Sequence, residues 1–213
     1  MSKKAKNIIV LRHGTSVANL DKSVYDRIPD YRVELAPKGR EQAGKAAEHL
    51  VREFGERPVG VYVSPFTRTL QTEEIAAKNL NKAFRTQDCR LREREWTGRL
   101  QSYDLRAQNE RKEYGNFFYR YHGGESCADA AERAYSFRRD FIAKMEKKGS
   151  PDDYLLCSHG EYMAILAMVF CEKSYRDFET WATPWNCNAY RFHYSSGAFQ
   201  WVDGPEKNLE FSR

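Results

Sequence analysis

The sequence predicts an α/β fold of three layers, α/β/α, with a mostly parallel central sheet, helices on both faces and a partly helical lid insertion. Two observations predict it. Short apolar runs at residues 7–11, 59–63 and 154–157 each pass directly into a polar turn and then into a helical pattern, as the strands of a parallel sheet buried on both faces do. Near the C-terminus, residues 187–194 and 199–202 flank Ser195-Ser196-Gly197 and read as a hairpin on the sheet's edge.

The elements follow in order. Residues 7–11 contain four apolar side chains and read as the first strand. They deliver Arg12, His13 and Gly14 to its C-terminal end, the edge at which open α/β sheets bind ligands. The stretch that follows, to about residue 33, is polar, contains Pro29 and reads as a loop. Residues 35–54 read as a helix, with Pro37 in the first turn and Ala43, Ala46, Ala47, Leu50, Val51 and Phe54 at helical spacing. Gly55 and Pro58 end it. Residues 59–63 form the second strand. Ser64-Pro65 reads as a helix start, serine capping and proline at the first helical position, with the helix running to about residue 80 and Arg68 in its first turns. Residues 83–88 read as a third strand.

Residues 90–126 lack an apolar strand and read as the lid. They are charged at Arg90, Arg92, Glu93, Arg94, Glu95 and Arg99, and aromatic at Tyr114, Phe117, Phe118, Tyr119 and Tyr121. Those arginines, with Arg106 and Arg120, and the aromatic cluster are expected to overhang the site. Ser126 caps a helix to about residue 148, with Ala130, Ala134, Phe137, Phe141 and Met145 as its buried stripe. After the 154–157 strand come Ser158-His159-Gly160 and a helix to Cys171. No repeat or linker divides the chain, so one domain over residues 1–213 is expected.

Composition bounds the function. Lysine and arginine number 35 against 30 acidic residues, a net charge of +5 spread over a mixed surface. That excess steers anions but is too interspersed to imply nucleic-acid binding. The five cysteines contain no CxxC pair, which speaks against a disulfide framework or a zinc site and for a reducing compartment. MSKKAK passes directly into the first strand with no signal-peptide hydrophobic region, and the longest apolar run, residues 162–171, is ten residues, too short to span a bilayer. The expectation is a cytoplasmic protein with no membrane partner. The terminal hairpin offers an edge through which two copies could pair as a homodimer.

Three strand-turn-helix units thus bring Arg12-His13, Arg68 and His159 to one edge of the sheet, because right-handed crossovers point parallel strands the same way. Such a cluster of positive charge is costly unless an anion sits in it. A phosphoryl group suits it, since guanidinium and imidazole N–H groups grip its oxygens more tightly as charge builds on them.

At this point RHGTSVAN from Arg12, LAPKGREQA from Leu35, SPFTRTLQT from Ser64, LREREW from Leu91, GGES from Gly123 and SHG from Ser158 together resemble the histidine phosphatase superfamily. That group includes cofactor-dependent phosphoglycerate mutases and many phosphomonoesterases. IPDYRVEL and ERKEYGNFFYRYHGGES are most similar to its phosphatase-like members. The resemblance implies a phosphomonoester hydrolase with His13 as the nucleophile that takes the phosphoryl group. It implies that Arg12, Arg68 and His159 hold the phosphate oxygens, that Ser16 and Asn19 of the RHGxSxxN pattern help bind substrate, and that Glu93 protonates the leaving oxygen and then activates water. It implies no cofactor and no metal, and a small, anionic phosphorylated substrate as partner.

The chemistry agrees independently. Imidazole is a nucleophile when neutral, and neighbouring positive charge keeps it so. Covalent transfer splits one hard displacement into two easier ones. For the acid, Glu95 lies two residues beyond Glu93 and competes with it. The family's glycine four residues after the acid is Thr97 here, with Gly98 following. A phosphoglycerate-type mutase and a catalytically weak phospho-ligand binder are the alternative readings. His49, His122 and His193 read as structural.

Overall fold

The computed structural model describes residues 5–96 and 105–203. Six strands lie among them: β1 (Lys6–Arg12), β2 (Val59–Val63), β3 (Lys82–Gln87), β4 (Asp153–Ser158), β5 (Ala189–Ser195) and β6 (Ala198–Asp203). They form one sheet in the order β3-β2-β4-β1-β5-β6. β3, β2, β4 and β1 run parallel, and the β5–β6 hairpin joins β1 antiparallel, as the terminal pattern predicts. The helices are α1 (Val17–Leu20), α2 (Pro37–Phe54), α3 (Thr67–Ala76), α4 (Leu105–Tyr114), α5 (Cys127–Met145), α6 (Gly160–Phe170) and α7 (Tyr175–Glu179).

Three layers follow from the side-chain alternation of the strands. Ile8 and Val10 of β1, Tyr62 of β2 and Tyr154 and Leu156 of β4 pack in one core with Ala134, Phe137 and Phe141 of α5 and nearly all of α6. Ile9 and Leu11, Val61 and Val63, and Leu155 and Cys157 pack in a second core with Ala46, Leu50 and Phe54 of α2 and Ala76 of α3. A register slip of one residue would exchange these two sets, so burial on both faces pins the strands. Phe141 ties the first core together, its ring stacked on Phe137 and Phe170 and edge-on to Tyr62 and Tyr154.

This topology positions the site. β4 lies between β1 and β2, and Arg12 is in register with Ser158 and Val63 with Cys157. The chain leaves all three strands at adjacent points on one edge.

Four expectations are corrected. The helix after β2 begins at Thr67 with Phe66 as its N-cap, and it ends at Ala76; Ser64 lies two residues before the cap, where its hydroxyl accepts from Phe66 N–H at 3.4 Å and meets His159 Nε2 at 2.8 Å. The polar stretch after Asn19 is not a plain loop but holds two turns of tight helix, Lys22–Asp26 and Asp30–Arg32. The aromatic cluster is mostly core: Phe117, Tyr119 and Tyr121 are buried, and Phe117 packs on Phe178 of α7, a helix the sequence reading left out. The arginines of this region are mostly tied down. Arg90 pairs with Asp88 and Asp140, Arg120 with Asp129, and Arg94 is fully buried against Glu161. Thr97, Gly98, Arg99 and the side chain of Arg106 lie outside the described residues. Among the described residues no helix is long and apolar enough to cross a membrane.

Candidate active site

His13 is the first residue past β1. Its backbone N–H donates to the Ser158 carbonyl at 3.0 Å, and its carbonyl accepts from Cys187 N–H and Asn186 Nδ2 at 3.3 and 3.1 Å. Backbone on both sides therefore fixes the Cα position. The ring is fixed by its 2.7 Å contact with the Gly14 carbonyl. A carbonyl only accepts, so Nδ1 carries the proton and Nε2 keeps its lone pair. Arg68 Nε donates to that nitrogen at 3.3 Å.

The turn after His13 depends on two glycines. A Cβ on Gly14 would stand 2.4 Å from the Gly39 carbonyl oxygen, and one on Gly39 would stand 2.1 Å from the Thr15 carbonyl oxygen. The turn thus packs backbone to backbone on the first turn of α2, and Thr72 of α3 accepts from Gly14 N–H at 3.0 Å.

His159 is the N-cap of α6 and fully buried. Its ring centroid lies 5.2 Å from that of His13. Ser64 Oγ lies 2.8 Å from its Nε2, while its buried Nδ1 has no hydrogen-bond partner. Arg12, at the end of β1, donates from Nη1 to the Pro184 carbonyl. Its Nε is likewise buried and unpartnered. Gly160 admits this guanidinium, since a Cβ there would stand 3.0 Å from Cζ and Nε of Arg12. Two buried nitrogens of cationic or potentially cationic side chains are therefore left without acceptors at one place.

Burial, then Arg68 and Arg12, holds His13 well below the usual histidine range, while the bond to Gly14 pulls the other way. Burial, then Arg68, His13 and Arg12, does the same to His159. Both imidazoles are neutral near pH 7.

Glu93 lines the same cavity. Its Oε1 accepts from Arg94 N–H and from Tyr162 N–H in the first turn of α6, both at 3.0 Å. Burial and the Glu161 carboxylate raise its proton affinity above the usual carboxylate range, against the pull of the Arg94 amide, Arg68 and Arg12. Glu95 also borders the cavity but is exposed. Ser16 and Asn19 line the cavity as well, yet they are occupied with each other in a capping box at the start of α1, and Asn186 Nδ2 donates to Asn19 Oδ1 at 3.3 Å. The Asn19 amide NH2 is the group of that pair left to donate.

The cavity is about 740 Å³. Residues 21–33 contribute Tyr25, Ile28, Pro29, Asp30 and Tyr31 to its wall, and Arg92, Trp96 and Arg111 line it as well. Of the arginines expected over the site, Arg92 alone borders the cavity among the described residues, and it is paired with Glu125; Arg111, which is not among those expected, borders the cavity as well. His122 is exposed, as is His193, and His49 contacts Arg52 at 3.2 Å. Among the described residues no three His, Cys, Asp or Glu side chains are placed to hold a metal ion.

Sequence reasoning missed Ser64, Asp30, Asn186 and Glu161. Ser64 carried a signal, since it sits at the end of β2 on the edge that receives His13 and His159. Asn186 carried none, as it lies in an irregular segment before β5.

The chain was compared with known proteins. It is 29% identical over 85% of its length to the phosphoglycerate mutase-like protein AT74 of Arabidopsis thaliana, spanning 62% of that relative. A shorter segment, 35% of the chain, is 33% identical to 23% of the broad-range acid phosphatase DET1 of Saccharomyces cerevisiae. The solved mycobacterial glucosyl-3-phosphoglycerate phosphatase complexed with VO3 has the same fold, with a TM-score of 0.74 at 22% identity, covering 92% of this chain and 96% of that one. The family model of the histidine phosphatase superfamily, branch 1, matches residues 8–204. The chain belongs to the histidine phosphatase superfamily.

Proposed function

We propose that the protein is a phosphomonoester hydrolase of the histidine acid phosphatase type, working through a phosphohistidine on His13. One observation carries the reading: a neutral imidazole, its Nε2 lone pair directed at the Arg68 guanidinium, stands beside two buried nitrogens, Arg12 Nε and His159 Nδ1, that lack acceptors. A phosphoryl group supplies the acceptors and the electrophile together.

His13 Nε2 attacks phosphorus in line with the ester oxygen. As the P–O bond breaks, the Glu93 carboxylic acid passes its proton to the leaving oxygen. Arg12, Arg68 and His159 donate to the equatorial oxygens, whose charge they stabilise. The Glu93 carboxylate then takes a proton from water, the oxygen of which attacks phosphorus. The P–N bond breaks, and inorganic phosphate and neutral His13 are restored. The cycle needs Glu93 protonated and His13 unprotonated. The raised affinity of one and the lowered affinity of the other favour that combination on the acid side of neutrality. The yeast relative, a broad-range acid phosphatase, points the same way. The substrate is a small anionic phosphomonoester.

The test is hydrolysis of an aryl phosphate in the presence of a chelator. His13→Ala should abolish it, and a rapid denaturing quench should trap label on His13. Full activity in His13→Ala, or label elsewhere, sinks the reading. Isomerisation of a phosphoglycerate without release of phosphate would assign a mutase instead, in keeping with the name of the plant relative.

A further inference from the structure

We propose that Asp30 is the positioning residue of the phosphate grip, fixing the direction in which Arg68 presents its guanidinium to His13. The proposal rests on the phosphoryl-transfer reading of the site. A guanidinium offers two flat edges for an anion: its end, made by Nη1 and Nη2, and its side, made by Nε and Nη2. Asp30 fills the end. Its Oδ1 lies 2.8 Å from Nη1 and its Oδ2 3.4 Å from Nη2, and its backbone carbonyl accepts from Nη1 at 2.8 Å.

What remains is the side edge. Its Nε donates at 3.3 Å to His13 Nε2, the atom that receives the phosphoryl group, so this edge already faces the reacting centre. The second hydrogen of Nη2 points along the same edge. Asp30 therefore turns the bidentate side of Arg68 toward the reacting centre. The plane of the guanidinium is held as well, because its Cζ lies over the Phe66 ring at 5.0 Å. Arg68 is 4% exposed and Asp30 31%, so water reaches only one partner.

Asp30 is itself negative and stands behind the residue that binds a dianion. For tight binding of phosphate alone it is unfavourable. Its value lies in geometry, which matters most when oxygens lie in one plane around phosphorus. This gives the proposal a distinguishing signature: removal of Asp30 should spare the tetrahedral anion and weaken its five-coordinate mimic.

The experiment compares orthophosphate and orthovanadate binding to the wild-type chain, Asp30→Asn and Asp30→Ala by calorimetry, with aryl phosphate kinetics in parallel. Asp30→Asn preserves shape and guards against a folding defect in Asp30→Ala. Vanadate Kd should rise about tenfold or more and kcat fall by about the same factor. Phosphate Kd and KM should change less than about threefold or fall. Asp30→Glu should recover part of kcat. Equal weakening of both anions, or no change in either, overturns the proposal. A wild-type chain that binds vanadate but hydrolyses nothing sinks the hydrolase reading, and the vanadate-to-phosphate ratio still tests Asp30. A wild-type chain that binds neither anion overturns both.

Discussion

Glu93→Gln is the substitution that most directly tests how the leaving group departs. Glu93 Oε1 accepts two backbone N–H bonds, from Arg94 and Tyr162, both at 3.0 Å. The glutamine carbonyl can keep both, so the segment before the lid and the start of α6 stay in place. The acidic proton belongs on Oε2, and there the amide NH2 replaces it with a group that cannot transfer a proton. A positioned general acid contributes about 10²- to 10⁴-fold, or about 3–5 kcal/mol at 1.36 kcal/mol per decade. The full loss should appear with an alkyl phosphate, whose alkoxide must be protonated as it leaves. With a nitrophenyl ester, which leaves without help, the phosphorylation step should fall by about tenfold or less. Water attack on the phosphohistidine loses its base in either case, so with the nitrophenyl ester phosphoenzyme should accumulate in a rapid-quench assay. Glu95→Gln is the control. Glu95 is exposed at the cavity rim, and its loss should change kcat by less than about threefold, as for a solvated surface charge. Equal small losses on both esters in Glu93→Gln, or a collapse of activity in Glu95→Gln alone, would refute the assignment of Glu93.

Ser64→Ala removes the hydroxyl 2.8 Å from His159 Nε2 and leaves a buried ring nitrogen unpaired, at a cost of about 1–3 kcal/mol. Because a hydroxyl donated to Nε2 holds the proton on Nδ1, the nitrogen proposed to donate to the phosphoryl group, kcat/KM for an aryl phosphate should fall by about tenfold, and Ser64→Thr should retain most of it; unchanged kcat/KM in Ser64→Ala would remove Ser64 from the machinery. Stability should also depend on pH. His13 and His159 have folded-state pKa values below the unfolded value of about 6.5, so the unfolded chain binds more protons and their stabilisation, complete above about pH 6.5, is lost as pH falls toward the folded values. Glu93 acts oppositely, since its raised folded pKa gives stability at low pH that is lost as pH rises through it. In Glu93→Gln, which lacks that opposing term, Tm should fall between pH 7 and pH 5, and additional His13→Ala should reduce the fall; a flat Tm would contradict the buried, neutral histidines.

The sheet was legible because its strands are short, apolar and buried on both faces. Residues 8–11 and 154–157 have every side chain buried, so the sequence shows an unbroken apolar run at each. The candidate site residues carried by the strand ends, Arg12, His13 and His159, were legible for the same reason, standing in the polar turn that follows each run. Ser64 was misread because its local chemistry has two uses. A serine followed by proline is a good helix start, and the same hydroxyl is a good partner for an imidazole. The choice was made by His159, 95 residues away, which no local window contains. The aromatic stretch was misread although a signal existed. Phe117, Tyr119 and Tyr121 are buried while Phe118 and Arg120 between them are exposed, an alternation that starts in the turn closed by Tyr119 N–H and the Gly115 carbonyl. Judged by composition, the stretch read as a lid; judged by period, it would have read as half-buried.

Asp30 joins these two lessons at the point where the chemistry is decided. Pro29 and Asp30 fall in the polar stretch that local patterns assign to a loop, and nothing nearby in sequence asks for a carboxylate. Its partner Arg68 is 38 residues on, in the first turn of α3. An arginine beside a nucleophile is only as useful as the edge it presents, and a side chain with several rotatable bonds does not choose that edge alone. The sequence makes the cations at the strand ends visible because they interrupt apolar runs. The groups that aim them, Ser64 at His159, Gly14 at His13 and Asp30 at Arg68, are ordinary turn residues. They become distinguishable when β4 is set between β1 and β2 and the three strand ends meet.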